Sequence, residues 1–128
     1  MTDLKVLSIA TDELDASVET FCKNFGFPVT RSATSSSDQV RGVSLGIGSA
    51  EIEMVAPTGE ASSVARFLAE RGPGLHQLVL EVDDLKAAAA DLSARGIDVR
   101  LETGADGRSA GFLSTAQTHG VRIVLLGR

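Results

Sequence analysis

This 128-residue chain has no tryptophan and no tyrosine, so the aromatic platforms on which proteins stack unpaired bases are missing. Basic residues are also in deficit: 12 Lys and Arg stand against 17 Asp and Glu, a formal net charge of -5 with no basic cluster. That balance excludes the electrostatic footprint of a nucleic-acid or anionic-membrane binder. The single cysteine, Cys22, permits no intrachain disulfide, and its place in a helical pattern makes it a structural thiol. No apolar run is long enough to span a bilayer, and MTDLKVLSIATDE has no positive region followed by a signal-type apolar core. A cytoplasmic protein is therefore expected. What is present is 43% hydrophobic residues, enough for the core of one domain over residues 1–128. A small molecule is the expected partner.

The chain reads as two copies of one module. VLSIATDELDASVETFCKNFGF (6–27) is an apolar strand, an acidic helix start at Asp12, a helix and a stop at Gly26. QLVLEVDDLKAAAADLSARGI (77–97) repeats that order, with Asp83 and Gly96 in the same places. Leu14 and Leu85 lie 71 positions apart, as do Phe21 and Leu92, and the same offset carries Ile52-Glu53-Met54 onto Ile123-Val124-Leu125. Strand-like pieces follow each helix, near 28–31, 40–47 and 51–56, then near 98–102, 109–114 and 120–126. TSSSDQ (34–39) and TGADGRSAG (103–111) read as loops.

Each module is thus βαβββ, the first spanning about 1–59 and the second about 73–128. Between them, about 60–72, Val64, Phe67 and Leu68 fall at helical spacing behind Ser62 or Ser63 as N-cap, and Gly-Pro-Gly ends the run. This is a linker helix. The fold class is α+β.

Paired βαβββ modules in a chain of this length resemble the vicinal oxygen chelate superfamily, which holds glyoxalases, dioxygenases and bleomycin-resistance proteins. EIEMVAP, then SSVARFLAERGPGLHQLVLEVDDL, and further on GADGRSAGFL resemble the methylmalonyl-CoA epimerase family within it. The resemblance implies a curved mixed sheet around a cavity, with the helices outside, and a homodimer. It also implies four metal ligands: His at 6, Glu or Gln at 53, His at 77 and Glu at 124. This chain has Val6, Glu53, Gln77 and Val124 there. The 71-residue offset independently makes 6 and 77, and 53 and 124, equivalent positions.

One carboxylate and one amide make a poor site for a divalent ion, so no metal and no cofactor are expected. The two histidines do not repair it. Alternation turns His76 to the face opposite Gln77, to pack under a helix, and His119 falls in an exposed turn. The same alternation lines the cavity with Val6, Ser8, Glu51, Glu53, Gln77, Val79, Arg122 and Val124. Arg122 is either the cationic neighbour of Glu51 or Glu53, if the two closing strands lie opposite each other, or a side chain that reaches solvent beside a rim Glu51.

Three functions remain open on this reading. One is a metal-independent protein binding a small anionic or acyl-thioester ligand. Another is a metal-free isomerase, lyase or hydrolase acting on a carbonyl compound, with Glu53 as general base and Gln77 or Arg122 as oxyanion donor. The third is a metal-dependent epimerase-like enzyme with displaced ligands.

Overall fold

The computed structural model describes residues 2–104 and 107–128. Among them are β1 (Thr2–Ala10), α1 (Leu14–Phe25), β2 (Val29–Ser35), β3 (Val40–Ile47), β4 (Ala50–Pro57), α2 (Ser63–Arg71), β5 (Gly74–Val82), α3 (Leu85–Ala94), β6 (Val99–Thr103), β7 (Ser109–Leu113) and β8 (Ile123–Gly127). The α+β class and the doubled βαβββ order are as expected. The contacts divide the chain into one unit of residues 6–76 and another of 1–5 with 77–128.

In the 6–76 unit the strand order is β2-β3-β4-β1, with β1 parallel to β4 and the other pairs antiparallel. Leu14, Val18, Phe21 and Cys22 recur at helical spacing along α1 and pack on Val43, Leu45, Ile52 and Met54. Cys22 therefore belongs to this apolar layer. Gly26 ends the helix at φ 71°, a left-handed conformation that glycine adopts without a Cβ clash, and its N–H donates to the Cys22 carbonyl. On the opposite sheet face α2 covers only one end, where Val64, Phe67 and Leu68 pack with Ala10 and Val55. Ser62 is its cap, accepting from the Val64 N–H at 3.1 Å.

In the second unit the order is β5-β8-β7-β6, again with one parallel pair, β5 with β8. Leu85, at the start of α3, sits against Gly111 and Gly127. A side chain on Gly111 would come within 2.8 Å of Val99 Cγ1 and 3.2 Å of Leu85 Cδ1, so glycine there permits the close approach of helix and sheet. Lys5 pairs with Glu81 at 3.4 Å, and Arg128 pairs with Asp3, Glu81 and Asp83, fastening the first residues of β1 and the last of the chain.

Several boundaries differ from expectation. The helix behind the acidic start at Asp12 begins at Leu14; Glu13 is its cap residue, without a side-chain cap bond, and Thr11 Oγ1 accepts the Glu13 N–H instead. In α3, behind the acidic start at Asp83, the cap is Asp84, whose carboxylate accepts the Ala87 N–H at 3.0 Å. The last strand begins at Ile123, later than 120, because residues 114–121 close on themselves through Gln117 N to Ser114 O and Gly120 N to Thr115 O. Thr34 and Ser35 lengthen β2 into the expected first loop. Of the loop expected over 103–111, Thr103 and Ser109–Gly111 are strand, while Ala105 and Asp106 lie outside the described residues.

Candidate functional site

The strand registers give the repeat a geometric meaning. Val6 is opposite Glu51 and Ser8 opposite Glu53 across β1 and β4, and the equivalent β5–β8 pair sets Leu78 against Ile123 and Val79 against Val124. An offset of 71 carries one register onto the other. Leu78 N donates to Arg122 O at 2.9 Å, one residue before β8 begins.

Within the 6–76 unit the sheet face that α2 leaves uncovered carries a polar row. Arg31 pairs with Ser44, Ser44 with Glu53, and Glu53 with Ser8 across four strands. Ser8 and Ser44 are buried, at 1% and 3% exposure, and Glu53 is half-buried between them. Ser8 Oγ donates to Glu53 Oε1 at 3.4 Å. Glu53 also borders a cavity of about 170 Å³ together with Arg31, Gly42 and Ser44. A carboxylate held beside a hydroxyl at the edge of a cavity can accept a proton from a bound ligand.

Glu51 lies one row along. Its carboxylate meets Arg31 at 3.7 Å and accepts from Thr30 Oγ1 at 3.2 Å, so within this unit its cation comes from β2. The cause is the irregular register between Val29 and Arg31, which brings Thr30 and Arg31 together beside the end of β4. Thr30, Arg31 and Ser44 were missed by sequence reasoning. Ser44 had a signal, as a small hydroxyl within the alternating run VRGVSLGI.

The remaining expected residues lie in the second unit. Val79 and Val124 are both buried, and Gln77 is half-buried. Arg122 lines a cavity of about 640 Å³ with Arg100 and Phe112. His76 packs edge-on against Phe67 of α2, with ring centroids 4.9 Å apart, as the alternation required. His119 is exposed in the turn at φ 56°. No helix among the described residues is long and apolar enough to cross a membrane.

This architecture is the glyoxalase-like fold, and residues 7–112 match the model of the glyoxalase/bleomycin resistance protein/dioxygenase superfamily, to which the chain belongs. Its relatives narrow the likeness. It is 32% identical to the mitochondrial methylmalonyl-CoA epimerase of Dictyostelium discoideum over 95% of this chain and 76% of that one. It is 28% identical to the ethylmalonyl-CoA/methylmalonyl-CoA epimerase of Cereibacter sphaeroides over 95% of both. Among solved structures, a methylmalonyl-CoA epimerase in complex with methylmalonyl-CoA and NH4+ superimposes with a TM-score of 0.85 at 30% identity, over 99% of this chain and 94% of that one.

These relatives overturn the expectation that no cofactor is involved, because methylmalonyl-CoA epimerases are metal-dependent enzymes. The family's four donors are nevertheless not the residues of this chain. Val6 and Val124 carry no donor atom, Val124 is buried at 6% exposure, Gln77 offers a neutral amide, and Glu53 alone retains a carboxylate. Among the described residues no three His, Cys, Asp or Glu side chains gather as a metal would require. The residues present do not fit the family's metal centre.

Proposed function

We propose that the protein binds a carboxylated acyl-CoA thioester of the methylmalonyl-CoA kind, with the half-buried carboxylate of Glu53 facing its acidic carbon. The observation that carries this reading is the likeness, along almost the whole chain, to an epimerase in complex with methylmalonyl-CoA. In such a ligand the carbon between thioester and carboxylate holds an acidic proton. Glu53 would take that proton from carbon, the electron pair passing to the thioester oxygen as an enolate. Return of a proton to the other face would invert the centre. A specific observation favours a second reading, binding without turnover: valines at 6 and 124 place no polar group where enolate charge would be stabilised.

One experiment separates the readings. Methylmalonyl-CoA is incubated with the protein in D2O, with added Co2+ or with EDTA, and loss of the C2 proton is followed by NMR while calorimetry measures binding. Catalysed exchange that falls by about 100-fold or more in Glu53→Gln, with affinity retained, establishes Glu53 as the base. Saturable binding without exchange establishes the second reading. No binding under either condition refutes both.

A further inference from the structure

The two modules carry opposite charge at equivalent places. Position 51 in the first corresponds to 122 in the second, and there an acid is replaced by a guanidinium. Arg31 and Arg100 are equivalent too, each opposite the second strand of its hairpin, at Ser44 and at Phe112. In the first module Arg31 has Glu51 as its neighbour. In the second, Arg100 and Arg122 line the same cavity of about 640 Å³, and Asp98 is the one acid on its wall among the described residues. The wall carries two cations and one anion, and Glu102 beyond it pairs with Arg100, so Arg122 is the cation left facing the cavity without an ion pair among the described residues.

The donors are arranged to stay available. Arg100 lies over the Phe112 ring, its guanidinium carbon 5.2 Å from the centroid, a cation–π contact that uses none of its N–H groups. Its ion pair among the described residues, with Glu102 at 3.1 Å, joins side chains that are 71% and 55% exposed. Water and salt screen such a pair strongly, so it competes weakly with a ligand. Arg122 is half-buried and has no acidic partner among the described residues. Ser114 Oγ accepts the Ala116 N–H at 3.2 Å, which leaves its own hydrogen free to donate into the cavity. Gln117 holds the wall in place, accepting from Asp98 N at 2.7 Å and donating to Asp98 O at 3.1 Å. That clasp preorganises the loop and reduces the ordering cost of binding.

We propose that this cavity is an oxyanion site, in which Arg122, Arg100 and Ser114 hold a carboxylate or phosphate group of the ligand. Assigning the oxyanion to part of an acyl-CoA rests on the functional reading above; the site itself does not. Two guanidiniums can each take an oxyanion with paired N–H donors, which a lysine cannot do.

The test titrates the full chain with malonate, inorganic phosphate and coenzyme A, followed by calorimetry and by amide chemical shifts at low and high salt. Saturable binding is expected, with shifts centred on residues 98–100 and 112–122. Arg122→Gln and Arg100→Gln should each weaken it by about tenfold or more, and Arg122→Lys should recover only part of the loss. Preference for malonate identifies a carboxylate ligand; preference for coenzyme A and phosphate identifies a phosphate. If none of the three probes binds, or both glutamine variants bind them as wild type does, the oxyanion site is refuted. The functional reading fails separately: probes that bind through Arg122 while methylmalonyl-CoA does not leave the site standing, and methylmalonyl-CoA binding unaffected by both substitutions removes only the site.

Discussion

Replacing Gly111 by alanine tests whether a glycine is required where β7 packs beside Val99 of β6 and beneath Leu85 of α3. The new Cβ would lie 2.8 Å from Val99 Cγ1 and 3.2 Å from Leu85 Cδ1. The leucine methyl can swing aside, but valine is branched at Cβ and held near one rotamer, so the backbone or the valine must shift. Overpacking of this kind costs about 1–3 kcal/mol. Against it, alanine narrows the unfolded ensemble, which stabilises by about 0.4–1 kcal/mol. The net expectation is a loss of about 1–2 kcal/mol, or roughly 4–7 °C in melting temperature for a chain of this length. With no Trp or Tyr for fluorescence, urea unfolding followed by far-UV circular dichroism is the suitable assay. Val99→Ala removes the nearest contact, so the double variant should be more stable than the sum of the two single losses implies. A Gly111→Ala protein as stable as wild type, or more stable, would refute the packing argument.

The helix starts give a second prediction. Asp84→Ala should cost about 1 kcal/mol by losing its bond to Ala87 N–H, whereas Glu13→Ala, at the equivalent place in the first module, should cost clearly less because that side chain makes no cap bond. Urea midpoints of the two variants check the difference, and equal losses would contradict the cap assignment. Assembly gives a third: the family resemblance leads to the expectation of a homodimer, so light scattering should return the mass of two chains, and a single-chain mass at all concentrations would reject it.

Much of this molecule was legible before its structure because its signals are local. Leu14, Val18, Phe21 and Cys22 recur every three or four residues, and Gly26 stands where a helix must turn left-handed to stop. The 71-residue offset made 6 and 77, and 53 and 124, equivalent positions, and the structure adds that Ser8 faces Glu53 as Val79 faces Val124. The acidic starts at Asp12 and Asp83 preceded helices that begin at Leu14 and Leu85, but which residue forms the cap was not legible. Asp12 and Glu13 are both acidic and adjacent, and only the path of the chain from β1 decides which of them precedes the first turn.

The expectation about cofactors failed for another reason. It counted donors at four positions of one chain, whereas the chemistry of the relatives is a property of their family. The charge partners lay beyond sequence reading altogether. Glu51 finds Arg31 because β2 pairs with β3 in an irregular register, and Arg100 finds Phe112 because β6 pairs with β7.

Periodicity, glycine placement and repetition therefore specified the elements, their order and the side chains that share a strand face, because each of these depends on neighbours a few residues away. Which strands lie side by side, which cation meets which carboxylate, and where a cavity opens were left to the folded chain. Those depend on contacts between residues far apart in sequence, where a single irregularity at Val29 and Arg31 redirects a charge.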